Sequence, residues 1–144
     1  MRSAVHPVVD ADILRRRIDA LLRYLDRLDR FSSVSRDVFE RDPDTHHLAE
    51  RYLHLAMESV LDIANHLIAD DGLELPETYR DAFVILARHG VLEVELGKRL
   101  QLWAGFRNVL VHAYLAIDHG MAWDAIVNDL AELRQFAAIA AARL

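Results

Sequence analysis

Residues 10–30 read DADILRRRIDALLRYLDRLDR, and this stretch decides the fold. An apolar residue recurs every three or four positions, which is the spacing of one face of an α-helix. The recurring residues are Leu14, Ile18, Leu21, Leu25 and Leu28. We therefore predict an amphipathic helix from Asp10 to Arg30 that buries these five side chains.

Another face of this helix is strongly charged. Arginines recur on it at helical spacing, and an aspartate stands four residues before several of them, an arrangement that supports a helix modestly. The residues are Arg16, Arg23, Arg27 and Arg30, with Asp12, Asp19 and Asp26. Two interpretations stay open, a patch that faces phosphate groups and a solvated surface held by salt bridges.

Start and stop signals divide the rest of the chain into four further helices. The predicted bounds are 43–69, 76–88, 92–113 and 121–143, with residues 31–41 as a connection. Asp42-Pro43 and Pro76 mark two starts, and Asp70-Asp71-Gly72, Gly90 and Asp118-His119-Gly120 mark stops or breaks. The predicted inward residues are Leu48, Tyr52, Leu55, Ser59, Ile63, Leu67, Tyr79, Phe83, Leu86, Leu96, Leu100, Trp103, Phe106, Leu110, Trp123, Ile126, Leu130, Leu133, and Phe136 or Ala137.

The composition agrees with an all-α fold. The 144 residues include only five Gly and three Pro, and 53% are apolar, which is enough to build a core. Short connections between amphipathic helices favour an up-and-down four-helix bundle with one additional short helix. We expect residues 1–144 to form one domain.

Composition also excludes several classes of protein. Without cysteine, the chain has no disulfide, thiolate metal site or cysteine nucleophile. Residues 1–10 do not resemble a secretion signal and no apolar run reaches bilayer length, so we expect a soluble, cytoplasmic protein without a membrane partner. A net charge of −6 opposes coating of nucleic acid, so we expect no DNA partner and only local RNA contacts.

Candidate chemistry is concentrated in residues 106–114, FRNVLVHAY. The guanidinium of Arg107 can hold two phosphate oxygens, and the imidazole of His112 can move a proton near neutral pH. RNA cleavage needs both, because a proton leaves the 2′-hydroxyl while charge builds on the phosphate. Arg41 and His46 have the same spacing, but no tyrosine follows that histidine by two residues.

This segment resembles the HEPN superfamily, and specifically its HepT-like toxin branch. The motif of the branch is Arg, four residues, His, one residue and Tyr, which Arg107, His112 and Tyr114 match, and Asn108 matches a frequent neighbour of the arginine. Residues 63–66, 75–83 and 117–123 are also similar to the branch, and the likeness covers about residues 48–136.

The resemblance implies a metal-independent endoribonuclease that acts on tRNA or mRNA and needs no cofactor. It also implies a homodimer with both motifs in a shared cleft, and a cognate nucleotidyltransferase antitoxin of the MNT type that transfers AMP to Tyr114. Arg107 and His112 would be catalytic and Asn108 would be a supporting contact. Some relatives serve only as docking or modification partners of a nucleotidyltransferase, and that alternative stays open.

Helix geometry adds an independent constraint on the motif. Five residues of an α-helix turn through about 500°, which leaves Arg107 and His112 about 140° apart around the axis. Either the helix opens near His112 or a second subunit supplies the complementary residue. Arg107 and Tyr114 are seven residues apart and would share a face, so AMP on Tyr114 would place an anion beside the arginine.

One competing site lies on the second predicted helix. Its polar residues recur in four-residue steps and are His54, Glu58, Asp62 and His66. Such a stripe could hold a divalent metal between helices, but the chain lacks the paired Glu-x-x-His elements of di-iron bundles. The alternatives are an exposed polar face and the border of the cleft that contains Arg107.

Overall fold

The computed structural model describes the backbone of residues 6–144 and the side chains of residues 11–113 and 115–144. Within this part of the chain there are seven α-helices and no strand, which confirms the all-α prediction. The helices are α1 His6–Asp29, α2 Arg36–Arg41, α3 Pro43–Asp70, α4 Tyr79–Arg88, α5 Val94–His112, α6 His119–Asn128 and α7 Leu130–Ala141. Two 3₁₀ turns, Arg30–Ser33 and Tyr114–Ala116, follow α1 and α5.

Helix α1 confirms the prediction from the apolar spacing. Its five stripe residues are at most 4% exposed, because α1 packs along α3 and also contacts α7. The arginines on its other face are exposed. Arg27 donates to the Tyr52 hydroxyl at 3.2 Å, whereas Asp26 pairs with Arg134 of α7 at 3.3 Å. The described residues therefore lack the predicted acid–base ladder within α1, and the arginines face solvent.

The predicted caps at Asp42 and Asp118 and the predicted stops at Gly72 and Gly90 lie where the sequence places them. Pro43 is the first residue of α3, and the Asp42 side chain accepts a hydrogen bond from the Asp44 amide at 3.3 Å. Asp118 accepts from the Met121 amide at the start of α6. Gly72 and Gly90 follow α3 and α4 with φ of +66° and +77°, a conformation that glycine adopts without strain.

The segment predicted as a connection contains an additional helix, α2. Ser35 starts it, because its hydroxyl accepts a hydrogen bond from the Val38 amide at 3.2 Å. Phe39 then anchors α2 in the core with no exposed surface. The bundle therefore carries two short helices, α2 and α4, and the prediction of a plain connection was wrong.

The buried face of α3 differs from the predicted one. Leu48 was expected to point inward but is 49% exposed, and Tyr52 and Leu55 are only partly buried. Neighbouring helices α1, α4, α5 and α7 cover α3 from several sides, so its buried surface is wide and includes small residues. Fully buried α3 residues include Ala49, Leu53, Ala56, Met57, Val60, Ile63, Ala64 and Leu67.

Two further helix boundaries correct the prediction. Pro76 lies in the loop before α4, which begins at Tyr79 after Thr78 caps it, and Tyr79 is 39% exposed rather than buried. The last predicted helix breaks at Asp129, because α6 packs on α2 whereas α7 packs on α1. Burial raises the pKa of the Asp129 carboxyl.

No described helix is long and apolar enough to cross a lipid bilayer.

Two glycines of α5 provide a matched test of its packing. A Cβ on Gly97 would lie 2.9 Å from the Cβ of Ala87 on α4, and neither atom can turn away. A Cβ on Gly105 would meet only the mobile end of Arg80. We expect Gly97→Ala to lower the free energy of unfolding by about 1–3 kcal/mol. Gly105→Ala should raise it by up to about 1 kcal/mol through helix propensity.

Urea unfolding followed by circular dichroism measures both effects. Equal stabilisation by the two alanines would contradict the close approach of α4 and α5 at Gly97.

Candidate active site

Arg107 lies on α5 and is only 7% exposed. Its Nε donates to Oε1 of Glu58 on α3 at 2.6 Å, and its Nη1 donates to Oδ1 of Asn108 at 3.3 Å. The guanidinium carbon lies 4.3 Å from the centroid of the Tyr79 ring. A charge-assisted hydrogen bond to Glu58, a hydrogen bond to the Asn108 side-chain amide and a cation–π contact with Tyr79 therefore fix the guanidinium in place.

The held guanidinium keeps part of its hydrogen-bonding capacity. A guanidinium carries five N–H groups, and its hydrogen bonds to described side chains, those of Glu58 and Asn108, use one on Nε and one on Nη1. The other N–H groups of Nη1 and Nη2 form a fork that fits two oxygens of a phosphate. Because the side chain is already ordered, binding such an anion costs little additional side-chain entropy.

His112 is the last residue of α5. The amide of Ala113 closes the final turn by donating to the Val109 carbonyl at 3.0 Å, and the backbone then leaves the helix. The imidazole is exposed and makes no hydrogen bond with the described side chains, so it is accessible to a substrate. Since α5 is helical through His112, Arg107 and His112 project in directions about 140° apart.

The other two motif residues are Asn108, which follows Arg107 on α5, and Tyr114, which follows the end of α5. Asn108 is exposed and contacts the arginine through its amide oxygen. The backbone of Tyr114 begins a 3₁₀ turn outside α5, so helical spacing does not extend from Arg107 to Tyr114 and the predicted shared face does not follow. The Tyr114 side chain lies outside the described residues.

The polar stripe of α3 borders Arg107 instead of forming a metal site. Glu58 pairs with the arginine, and His54 Nε2 lies 3.3 Å from the same Glu58 oxygen. Arg51 donates to His54 Nδ1 at 3.1 Å, so Nε2 carries the hydrogen toward Glu58. Throughout the described part of the chain, no three His, Asp or Glu side chains are placed to share a metal ion.

Sequence reasoning missed a histidine cluster elsewhere in the fold. The ring of His46, 5% exposed, stacks on that of His119 with centroids 3.6 Å apart. His46 Nδ1 donates to the Phe39 carbonyl, and His119 Nδ1 donates to Oε2 of buried Glu50 at 2.5 Å. These contacts join the end of α2 and the start of α6 to α3. The spacing of His46 and Glu50 on one helix face was visible in the sequence, but their pairing with His119 was not.

Comparison with known proteins identifies the family. The profile of the Ribonuclease HepT-like family matches residues 21–139. The chain belongs to this family. Its membership confirms the resemblance to the HepT-like branch and the predicted class of enzyme, a ribonuclease.

Individual relatives agree with this assignment. The chain is 30% identical over 118 residues to the tRNA nuclease HepT of Aphanizomenon flos-aquae, covering 82% of this chain and 80% of the relative. It is also 30% identical over 84 residues to the mRNA nuclease HepT of Shewanella oneidensis, covering 58% and 63% respectively. A solved structure of the tri-AMPylated Shewanella oneidensis HEPN toxin in complex with an MNT antitoxin matches with a TM-score of 0.83, 25% identity, and coverage of 91% of this chain and 98% of that one.

Proposed function

We propose that this chain is the toxin endoribonuclease of a toxin–antitoxin pair. In this proposal it cleaves tRNA or mRNA with Arg107 and His112, uses no metal ion or cofactor, and is neutralised by a nucleotidyltransferase antitoxin of the MNT type. The observation that carries the proposal is the buried Arg107, which is fixed by Glu58, Asn108 and Tyr79 yet keeps a phosphate-binding fork. The relatives named as tRNA and mRNA nucleases support the substrate class.

The two side chains have separate roles in the cleavage step. The imidazole of His112 takes the proton of a ribose 2′-hydroxyl, and the 2′-oxygen forms a bond to phosphorus. The bond from phosphorus to the 5′-oxygen breaks, that oxygen takes a proton from water as it leaves, and the proton on the His112 imidazole passes to solvent. The products are a 2′,3′-cyclic phosphate and a 5′-hydroxyl. Arg107 stabilises the negative charge that builds on the phosphate oxygens during this exchange.

A homodimer would bring the two side chains to one phosphate. Arg107 and His112 diverge by about 140° on a helix that stays intact between them. The same helix also carries exposed apolar side chains beside a groove of about 540 Å³, including Leu102 at 56% and Val109 at 37% exposure, with Met121 of α6 across from them. A second copy packed on this apolar face would cover it and place the His112 side chain of each subunit, about 60° from Val109 around α5, at the edge of the interface.

Neutralisation is proposed to act through Tyr114, two residues beyond His112. AMP on this tyrosine would bring a phosphate into the neighbourhood of the motif, where it would compete with RNA for cationic groups. The AMPylated relative in complex with its MNT antitoxin supports this route.

The direct test incubates the purified chain with end-labelled tRNA and mRNA in the presence of EDTA. We expect cleavage that leaves cyclic phosphate ends and is absent on 2′-O-methylated RNA, because the 2′-hydroxyl is the attacking group. Co-expression with an MNT-type nucleotidyltransferase should add AMP-sized mass to the chain, but not to Tyr114→Phe. Cleavage that depends on added Mg²⁺ would contradict the proposed mechanism.

A second candidate function has one observation in its favour. Because Arg107 is nearly buried and its charge faces Glu58, the arginine could serve only to hold α5 against α3. The domain would then be a docking and modification partner of the nucleotidyltransferase without nuclease activity. AMP addition at Tyr114 on a chain that cleaves no RNA before modification would favour this candidate.

A further inference from the structure

A cavity of about 550 Å³ lies on the Tyr79 and Asn108 side of Arg107, and neither Arg107 nor His112 lines it. Its wall includes Tyr79, whose ring stacks on the guanidinium, and Asn108, whose oxygen accepts from it. The rest of the wall comes from Asn65 at the end of α3 and from residues 75–78 of the loop before α4. Its volume falls in the range of about 300–1,000 Å³ that is usual for small-molecule sites.

The chemistry of this cavity suits a nucleobase and not a phosphate. Its lining contains one charged side chain, Glu77, which would repel an anion. Leu75, which is 86% exposed, and the aromatic Tyr79 supply apolar and stacking surface. A nucleotide whose phosphate is bound by Arg107 carries its base one sugar away, and the cavity adjoins the guanidinium through Tyr79 and Asn108. Stacking on aromatic side chains is a common way to hold an unpaired base.

The polar groups of the lining match guanine best. The Glu77 carboxylate only accepts hydrogen bonds, and guanine presents two adjacent donors, N1–H and the N2 amino group. The amide nitrogen of Asn108 makes no hydrogen bond with the described residues, and exposed Asn65 has a second amide group. These amides can donate to guanine O6 and N7, the acceptors that separate guanine from the other bases.

We propose that this cavity, lined by Asn65, Glu77, Tyr79 and Asn108, is a guanine subsite that selects the base next to the scissile phosphate. The inference rests on the proposed nuclease function and adds to it a preference for guanine next to the cleaved linkage. It makes Asn65 and Glu77 specificity residues that take no part in bond cleavage.

The test uses short unstructured RNAs in which every ribose but one is 2′-O-methylated, so that a single linkage is cleavable. The base on each side of that linkage is varied among the four bases, with inosine as a guanine that lacks the N2 amino group. We expect cleavage with guanine at one of the two positions to be about tenfold faster than with the other bases. Inosine, Glu77→Gln and Asn65→Ala should each reduce that preference several-fold.

Glu95→Gln is the matched control, because Glu95 is an exposed carboxylate on α5 that does not line the cavity. A preference for guanine that is retained in Glu95→Gln and lost in Glu77→Gln supports the subsite. Equal cleavage of all four bases, or an unchanged preference in both cavity variants, overturns it. Preference for another base overturns the assignment of guanine.

Binding separates this proposal from the nuclease proposal. Guanosine 3′-monophosphate and adenosine 3′-monophosphate are titrated into His112→Ala, which keeps the cavity. Tighter binding of the guanosine nucleotide, lost in the Glu77→Gln, His112→Ala double variant, supports the subsite even if no RNA is cleaved. Equal binding of both nucleotides overturns the subsite while leaving the nuclease proposal intact.

Discussion

Replacing His112 by alanine is expected to lower the rate of RNA cleavage by roughly 10²–10⁴-fold, the usual contribution of a general base. The imidazole is exposed at the end of α5 and makes no hydrogen bond with the described side chains, so we expect its removal to leave the packing unchanged. In the proposed mechanism the loss is chemical, because His112 takes the proton of the 2′-hydroxyl. Single-turnover cleavage of one labelled RNA at saturating protein measures the effect.

His47→Ala is the matched control for this substitution. His47 is also exposed, with 70% of its side chain accessible, but it lies at the start of α3, where its ring meets that of His46 edge-on with centroids 4.5 Å apart. We expect that variant to cleave at close to the wild-type rate, and both variants to keep the helical circular dichroism spectrum and thermal midpoint. A fully active His112→Ala would remove this residue from the mechanism.

The sequence predicts those parts of the fold that depend on local pattern. The α1 stripe follows from its apolar period, and the starts at Pro43 and Asp118 follow from capping chemistry. The break at Asp129 had no such local sign, because the apolar period of Ile126, Leu130 and Leu133 continues through it. It arises from the different neighbours of α6 and α7, which a single sequence does not reveal.

The exposed Leu48 illustrates the same limit in α3. The apolar periodicity was judged from large side chains such as Leu48. The buried surface of α3 instead includes three small residues, Ala49, Ala56 and Ala64, which allow neighbouring helices to approach closely. Which face is covered depends on how many helices surround α3, and that number is a property of the assembled bundle.

In the candidate site, too, the residues of one short segment could be predicted from the sequence, whereas the contacts between helices could not. Arg107, Asn108, His112 and Tyr114 were predicted from the resemblance of one short segment to the HepT-like motif. The contact with Glu58 joins residues 49 positions apart and depends on how α3 and α5 align, so the sequence placed Glu58 only on a polar stripe. Tyr79 was assigned to the buried face of its helix together with Phe83 and Leu86, and its contact with the guanidinium depends on the packing of α4 beside α5.

Replacing Arg107 by glutamine is expected to lower the cleavage rate by about 10²–10³-fold, the effect of removing one donor to a developing charge. Glutamine removes the positive charge and the phosphate fork but can still donate to Glu58. Loss of the ion pair should reduce the free energy of unfolding by about 1–3 kcal/mol. The loss is no larger because Glu58 is partly exposed and water can solvate its carboxylate. Parallel cleavage and urea unfolding measurements separate catalysis from stability.

Glu58→Gln provides the matched control, since it removes the same ion pair and leaves the guanidinium. If Arg107 contributes only stability, the two variants will lose activity to the same extent. If it binds the scissile phosphate, Arg107→Gln will lose far more activity at equal stability. Equal losses would therefore contradict the proposed role of Arg107 in binding the scissile phosphate.

Mixing the two inactive variants tests whether the catalytic pair is shared between subunits. When Arg107→Gln and His112→Ala chains are unfolded, combined in equal amounts and refolded, half of the dimers contain one chain of each kind. If one subunit supplies the arginine and the other the histidine, each mixed dimer has one intact site, because its functional residues come from different chains. Activity should then return to about one quarter of the wild-type rate. If both residues act within one chain, every site in the mixture lacks either the arginine or the histidine, and no activity returns.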